Sequence, residues 1–281
     1  MKTARTAKDV LWWYGFRLFV EFKHPTSAPT RLLRAVRRRL SKHGPEAARP
    51  LSGAPKPVPK KIWIYWAQGF EQAPALVRMC QDSWVRQNSD WEVVLLTDQN
   101  LNAYIALPSL AAKDIPHAAY SDIVRVELLT KYGGVWADAT TLCTAPLDSW
   151  LPGVMQSGFF AFEKPKTTLA SWFLAAQQGN NLMAQWAAYT HHYWSLAQKP
   201  GRYFWFHYLF EYLVTLNKDA RRAWQGTPRV SSQGPYALQR ALKSGSDIAE
   251  CERILNDQTI RVHKLDWRLD FPEEFVDKLR D

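Results

Sequence analysis

The sequence predicts an α/β protein built on a mostly parallel central sheet, with a helix-rich C-terminal half and a helical N-terminal extension. Strand-like and helix-like patterns alternate between residues 61 and 97, and strand, helix and strand in this order form a parallel βαβ unit. A helix-like segment followed by Gly-Gly and a short apolar strand comes at residues 121–137. Residues 168–215 are aromatic and helix-rich in pattern.

The individual elements follow from residue periodicity. Lys61–Trp66 and Trp91–Thr97 are expected to be buried strands that flank a helix at Pro74–Gln87. Ser121 is expected to cap a helix that runs to Tyr132 and that Gly133-Gly134 ends. Strands are then expected at 135–137 and 158–163.

The composition indicates one globular domain with an extension. Of the 281 residues, 47% are apolar and 14% aromatic, including 14 Trp, which excludes a disordered chain. The three cysteines are far apart and match neither a zinc spacing nor a disulfide framework, which favours a reducing compartment. They are Cys80, Cys143 and Cys251.

The basic charge belongs to the extension. Residues 1–61 hold 15 Lys+Arg and 3 Asp+Glu, whereas the remainder holds 21 basic and 23 acidic residues. The domain is therefore close to neutral, and nucleic acid is not an expected partner. The Pro- and Gly-rich composition of residues 44–59 indicates a linker between an extension at 1–43 and a domain at 60–281.

The extension has the composition of a membrane-surface segment. Residues 8–23 mix large apolar and basic side chains, and the basic run Arg31–Arg39 has helical spacing. We expect residues 1–40 to bind an anionic membrane surface, with rings entering the headgroup layer; the rings are those of Trp12, Trp13, Phe16 and Phe19. A helix packed on the domain with a solvated basic linker is the alternative, and an RNA-binding arm is a third interpretation.

The apolar stretch of the extension is neither a secretory signal nor a membrane span by its pattern. Val10–Phe22 is interrupted by Arg17 and Glu21 and is not followed by a small-residue cleavage site. It is also too short to cross a bilayer.

Candidate site residues lie on both sides of the Gly-Gly pair. Asp122 and Arg125 are three residues apart on the expected helix, so a carboxylate and a guanidinium share one face. Such groups suit sugar hydroxyls and phosphate, although a local ion pair explains the spacing as well. Asp138 follows a strand at the edge where open α/β sheets bind ligands, or it caps the next turn.

The order Ser-Asp-X-X-Arg, Leu-Leu, Tyr-Gly-Gly-X-Trp-X-Asp over residues 121–138 resembles the signature of GT-A glycosyltransferases. It is most similar to capsular polysaccharide synthesis proteins, with relatives among yeast outer-chain α-mannosyltransferases and clostridial glucosylating toxins. The resemblance covers roughly residues 57–267 and leaves the first 56 residues outside it.

The resemblance implies transfer of a sugar from a nucleoside diphosphate donor to a hydroxyl of a bacterial surface glycan, with retention of the anomeric configuration. The glycan is a capsule, an exopolysaccharide or a lipopolysaccharide. The protein would act in the cytoplasm, on the inner face of the cytoplasmic membrane. The alternative is a non-catalytic, membrane-peripheral assembly protein with a degenerate GT-A site.

The resemblance also assigns roles to residues. Tyr65 and Trp66 would bind the nucleotide, whereas Asp122 and Arg125 would contact the donor sugar. Asp138 would lie near ribose, sugar and metal, so Asp138, Arg125 and Asp122 form the expected catalytic set.

A divalent metal, Mn²⁺ or Mg²⁺, is expected at Asp138, Thr140 and His263, and Lys264 would neutralise diphosphate. Thr140 stands where the family pattern has a second Asp, which lowers the expected metal affinity.

Two further residues have weaker assignments. His207 is either a buried core histidine or a donor or acceptor contact. Glu163 is a candidate for the acceptor side, and His191-His192 carries less information still.

Overall fold

The computed structural model describes residues 6–23, 57–107, 110, 113–164 and 168–269. Its strands are β1 (Lys61–Tyr65), β2 (Glu92–Leu96), β3 (Gly134–Ala137), β4 (Thr141–Cys143), β5 (Phe159–Lys164), β6 (Thr168–Ala176) and β7 (Val262–Lys264). The central sheet has the order β2-β1-β3-β6-β5, and β4 pairs with β7 in a second sheet. β1 is parallel to β2 and β3, and β6 is antiparallel to β3 and β5. All strands of the central sheet except β6 therefore run in one direction, which confirms the predicted mostly parallel sheet.

The helices confirm the predicted distribution of secondary structure. In the described ranges they are α1 (Ala7–Lys23), α2 (Ala75–Gln87), α3 (His117–Tyr132), α4 (Asn181–Leu196), α5 (Trp205–Leu216), α6 (Lys218–Gln225), α7 (Ala237–Lys243) and α8 (Ile248–Leu255). Most of them follow the central sheet in sequence, so the C-terminal half is helix-rich, and α1 is the expected helix of the extension.

Both faces of the sheet are buried, which explains why β1 has a continuous apolar sequence. Trp63 and Tyr65 face a large core shared with α1, α3, α4 and α5. Ile62 and Ile64 face the other side, where they share a second core with Trp84 of α2. Alternate residues of a strand point to opposite faces, so a strand covered on both faces is apolar throughout.

Two elements differ from the sequence prediction. Residues 168–176 form β6 rather than helix, because a mainly apolar run fits either element and this one pairs with strands on both sides. Helix α3 begins at His117 with Pro116 at the N-cap position, not at Ser121. The Ser121 hydroxyl donates instead to the backbone oxygen of Ala118, 2.9 Å away.

The Gly133-Gly134 pair is required by a close backbone approach. Gly133 ends α3 with φ +68°, and a Cβ there would lie 2.5 Å from the backbone nitrogen of Gln178. Gly134 has φ +94°, and its Cβ would lie 2.6 Å from the Lys61 oxygen. Any side chain would be strained at both positions. The pair lets α3 lead directly into β3 beside β1, and β3 ends at the residue before Asp138.

Helix α1 packs on the domain. Trp12, Phe16 and Val20 are buried in the large core, and the Trp12 ring lies 5.7 Å from that of Tyr212. Lys23 forms an ion pair with the buried Glu211. The packed-helix alternative is therefore correct for these residues, and the expectation that Trp12 and Phe16 enter a membrane is wrong because they face the protein.

The rest of the predicted extension is described only in part, and the three cysteines lie in the domain. Trp13 and Phe19 are partly buried against the same core. Arg31–Arg39 and nearly all of the predicted linker lie outside the described residues. In the described ranges, no helix has the length and apolar character needed to cross a membrane. The three cysteines are buried and unpaired.

Candidate active site

A cleft with two chambers opens where β3 ends. The inner chamber is a cavity of about 350 Å³, and its lining includes Asp122, Arg125, Lys164, Ser171 and His207. The outer chamber is a cavity of about 700 Å³, and its lining includes Tyr65, Trp66, Thr140, Lys243, Trp267 and Arg268. Five polar or aromatic side chains line both chambers, namely Ser121, Asp138, Tyr203, Tyr236 and Lys264. Both volumes lie in the range of small-molecule sites.

Asp138 lies at the junction of the chambers with its carboxylate held in place. Its backbone N–H donates to the Trp172 oxygen at 2.8 Å. Its Oδ1 accepts from the Trp136 indole at 2.9 Å and from Arg125 Nη2 at 3.2 Å. The following turn is closed by the Asp138 backbone oxygen, which accepts from Thr141 N–H. The side chain is 27% exposed and faces the cleft rather than capping the turn.

Arg125 is buried and gives its hydrogen bonds to the protein. Nη1 donates to the oxygen and hydroxyl of Ser171 at 3.0 and 2.7 Å and lies 3.0 Å from Asp122 Oδ1. Nη2 donates to Ser121 Oγ at 3.0 Å and to Asp138 Oδ1. The local ion pair and the site interpretation are thus both present, because one guanidinium joins Asp122 to Asp138. This geometry makes Arg125 a positioning residue.

Asp122 is a buried carboxyl group with a raised pKa. Burial raises the pKa of Asp122 to about 7, the nearby Asp138 carboxylate adds to the rise, and the Arg125 guanidinium opposes it. Near pH 7 this group therefore exists in both forms. It can accept a hydrogen bond from a sugar hydroxyl when ionised and donate one when protonated.

Lys264 places an ammonium group between Asp138 and Thr140, two of the three residues expected to hold metal. Its Nζ donates to Thr140 Oγ1 and lies 3.6 Å from Asp138 Oδ2. The side chain is 16% exposed, so its charge is only partly solvated. Asp138 is therefore flanked by two cations, Arg125 on one oxygen and Lys264 on the other.

His263 is not brought to Asp138. Adjacent strand residues point to opposite faces, and Lys264 points to Asp138, so His263 points away from it. The His263 ring is fully buried, its two nitrogens lack a hydrogen-bond partner in the described ranges, and burial lowers its pKa to about 4.

The donor set around Asp138 fits a divalent cation poorly. The described residues contain no group of three or more His, Cys, Asp or Glu side chains suited to holding a metal. One carboxylate flanked by Arg125 and Lys264, with a neutral Thr140, offers few hard oxygen ligands and repels added positive charge.

The remaining predicted residues divide between the two chambers and the surface. Trp66 lines the outer chamber with its ring perpendicular to that of Trp267, at 6.1 Å. Tyr65 also lines it, and its hydroxyl donates to Asp98. His207 lines the inner chamber, and burial lowers its pKa to about 3, so the ring is neutral. Glu163 is exposed and lines neither chamber.

The histidine doublet contributes to packing rather than to the cleft. His191 Nε2 lies 2.5 Å from Glu127 Oε1. The centroids of the His192 and Trp12 rings are 4.4 Å apart.

Sequence reasoning missed several residues of the cleft. Trp136 could have been found, because it stands two positions before Asp138 and so shares its strand face. Lys164 and Ser171 have no comparable signal, since they come from the β5–β6 hairpin, whose second strand was expected to be helical. Lys243 and Arg268 are isolated basic residues in the sequence.

A sequence profile described as capsular polysaccharide synthesis protein matches residues 31–280. The chain belongs to this family. The match confirms the resemblance seen in residues 121–138 and extends it into the N-terminal extension, beyond the 57–267 expected.

Capsular polysaccharide synthesis proteins are not the only similar chains. An O-glycosyltransferase, braB, of Annulohypoxylon truncatum is 26% identical over 45% of this chain and 36% of its own length. The initiation-specific α-1,6-mannosyltransferase of Saccharomyces cerevisiae is 30% identical over 34% of this chain and 22% of its own. The matched segments thus span less than two fifths of either relative.

A solved structure, PaToxG glycosyltransferase, aligns over 97% of both chains with 12% identity and a TM-score of 0.36. This likeness is too distant to inform the geometry of the cleft.

Proposed function

We propose that this capsular polysaccharide synthesis protein is a retaining glycosyltransferase that moves a sugar from a nucleoside diphosphate donor to a hydroxyl of a bacterial surface glycan. The observation that carries the proposal is the position of Asp138 between an outer chamber suited to a nucleotide and an inner chamber suited to one sugar. The names of the similar glycosyltransferases support the reaction class, and the family description supports the surface glycan.

The proposed chemistry relies on positioning and charge. The bond between the anomeric carbon and the diphosphate oxygen breaks, and negative charge develops on the departing diphosphate. Lys264 at the junction, with Lys243 and Arg268 in the outer chamber, stabilises that charge. The acceptor hydroxyl attacks the anomeric carbon from the same face, and its proton passes to the departing phosphate. Trp66 and Trp267 offer ring surfaces to the base.

Arg125 and Asp122 act on the sugar side of this reaction. Arg125, in the lining of the inner chamber, holds the Asp138 carboxylate in place, and Asp122 contacts sugar hydroxyls. Because the residues around Asp138 fit a divalent cation poorly, no step is assigned to Mn²⁺ or Mg²⁺, and the Lys264 ammonium takes the role of charge neutralisation.

The test is release of nucleoside diphosphate from a panel of UDP- and GDP-sugars without acceptor, with Mn²⁺ and with EDTA. We expect slow hydrolysis of one donor and at least a hundredfold loss in Asp138→Asn, with EDTA lowering the rate less than about threefold. Asp82→Asn is the matched control, because Asp82 is exposed on α2 outside the cleft.

Three outcomes would revise the proposal. If EDTA abolished turnover, the reaction would require a divalent metal, contrary to the role given to Lys264. Nucleotide binding without turnover of any donor, even when acceptor glycans are added, would favour the non-catalytic assembly protein. Equal losses in Asp138→Asn and Asp82→Asn would show that the effect is not specific to the cleft.

We also propose that the protein lies on the inner face of the cytoplasmic membrane, through the outward face of α1. This face carries Val10, Leu11, Tyr14 and Leu18, which are 40 to 60% exposed. The basic excess of residues 1–61 complements anionic lipid. The unpaired buried cysteines agree with a reducing compartment.

Flotation with anionic and neutral liposomes tests this location. Leu11→Glu with Leu18→Glu should lower binding to anionic vesicles severalfold, because both the apolar contact and the charge match are lost. Val85→Glu is the control, since Val85 is an exposed apolar residue of α2. Unchanged binding of the double variant would contradict a role for this face.

A further inference from the structure

Lys164 is a half-buried cation in the lining of the inner chamber. It ends β5, and its Nζ lies over the rings of Phe204 and Tyr236 at 5.2 and 5.7 Å from their centroids. Within the described ranges, no carboxylate lies within 4.0 Å of the Lys164 ammonium group. The aromatic rings stabilise it only partly, because a cation–π contact replaces only part of the hydration that burial removes from the ammonium group.

The other charges of the inner chamber are already matched. Asp122 and Asp138 both contact Arg125, and Asp138 also faces Lys264. Burial lowers the pKa of Lys164, and the positive charge of Lys264 lowers it further. The described lining of the inner chamber holds three cations and two carboxyl groups, so at least one positive charge is not balanced there.

A second unsatisfied group lines the same chamber. The Nδ1 atom of His207 is shielded from solvent and lacks a hydrogen-bond partner in the described part of the chain. A neutral imidazole offers one hydrogen-bond donor and one acceptor, so the His207 ring can bind a polar atom of a ligand. Leaving a shielded ring nitrogen unpaired is unfavourable, because the nitrogen loses its hydrogen bonds to water without gaining one in the protein.

Lys164 is separate from the cations assigned to diphosphate. Of the three cations assigned to diphosphate, Lys264 lines both chambers and lies 3.6 Å from Asp138 Oδ2, whereas Lys243 and Arg268 line the outer chamber alone. Lys164 lines the inner chamber but not the outer. The diphosphate has its own cations, so the unbalanced charge lies where the sugar is placed.

We propose that the inner chamber binds a sugar that carries a carboxylate, a hexuronic acid, with Lys164 as its counter-charge and His207 as a hydrogen-bond partner. One lysine matches one carboxylate, and a cavity of about 350 Å³ is of the size class that takes a small ligand. This inference rests on the proposed function, because it assumes that the inner chamber is the sugar site. The acidic sugar is either the one on the donor or the terminal residue of the acceptor.

The test compares ligands that differ only at carbon 6. In the donor arm, binding of UDP-glucose is compared with UDP-glucuronate, and GDP-mannose with GDP-mannuronate, by calorimetry on the full chain. In the acceptor arm, glucose- and glucuronate-terminated oligosaccharides are compared in the presence of UDP or GDP. We expect at least about tenfold tighter binding of the acidic member in one arm.

Variants separate charge recognition from packing. Lys164→Met keeps the apolar stem and should reduce the preference for the acidic sugar to less than about twofold, with the affinity for free UDP or GDP unchanged. Lys164→Arg should keep most of the preference. Lys218→Met is the control, since Lys218 is exposed on α6 away from the cleft.

The inference is overturned if neutral and acidic sugars bind equally in both arms while free nucleoside diphosphate binds. It is also overturned if Lys164→Met lowers the melting temperature but leaves the preference intact, because Lys164 would then serve packing. Failure of both UDP and GDP to bind would instead overturn the proposed function, which distinguishes the two.

Discussion

The inner and outer chambers hold their charges in opposite ways. In the outer chamber, Lys243 and Arg268 both contact Asp266, at 3.3 and 3.9 Å, through largely exposed side chains. In the inner chamber, the Arg125 side chain is 5% exposed and is fixed by hydrogen bonds to Ser121 and Ser171. Exposed pairs rearrange at little energetic expense, whereas buried networks keep one geometry. The cleft therefore combines an adaptable nucleotide side with a preorganised sugar side.

The largest effect should come from breaking the inner network. Arg125→Met leaves Asp122 and Asp138 without their shared cation, so the free energy of unfolding should fall by about 3–5 kcal/mol. Denaturant unfolding measures this loss. Arg222→Met on the exposed face of α6 should change stability by less than about 0.5 kcal/mol. Comparable stabilities of the two variants would show that Arg125 does not hold the network.

Lys264 belongs to both chambers and should show the next largest effect. Lys264→Met should weaken nucleoside diphosphate binding by roughly 10- to 100-fold, the range for losing a charge-assisted hydrogen bond. Calorimetric titration in EDTA measures it without any metal contribution. If the variant binds as tightly as the parent, the diphosphate does not lie at the junction.

The raised pKa of Asp122 should have a smaller effect, which appears as a pH dependence of the free energy of unfolding. Because its pKa is about 7 in the folded chain and 3.8 in the unfolded one, folding favours the protonated form. Its stabilising contribution is complete below about pH 4 and is lost as pH rises through about 7. The stability of Asp122→Asn relative to the parent should therefore increase from pH 4 to pH 8 in denaturant titrations. A constant difference across this range would mean that Asp122 titrates normally.

The smallest effect is expected in the outer chamber. Lys243→Met removes an exposed ion pair with Asp266, so nucleotide binding should weaken by less than about fivefold at low salt. The difference should shrink further at 0.5 M salt, where exposed charges are screened. An effect as large as that of Lys264→Met would remove the contrast between the chambers.

The sequence was sufficient to predict the helices and strands whose apolar residues recur with a clear helical or strand spacing. The buried strands at β1 and β2 and the helix between them were predicted to within a residue or two, because a βαβ unit has a distinct pattern. It was insufficient for β6, where a nine-residue segment with seven apolar residues fits a strand or a helix and distant strands decide between them. The start of α3 was missed because Pro116 supplies the N-terminal turn without a polar cap.

The candidate site was predictable where its residues are close in sequence. Asp122, Arg125 and Asp138 come from one helix–strand unit, so their meeting follows from the motif. For two other residues, the alternation of side chains along a strand decides which of two neighbours faces the cleft. It brings Lys164 rather than Glu163 into the cleft, and it points Lys264 rather than His263 at Asp138. Which of two neighbours faces the site depends on pairing partners that lie far along the chain.

The packing of α1 has a geometric consequence for the whole molecule. Trp12, Phe16 and Val20 fasten one face of the helix to α4 and α5, whereas Leu11 and Leu18 face outward. Helix α5 also supplies His207 to the inner chamber. Any surface that binds the outward face is thus connected to the cleft through packed helices. The height and tilt of the cleft above that surface are set by the packing of three helices.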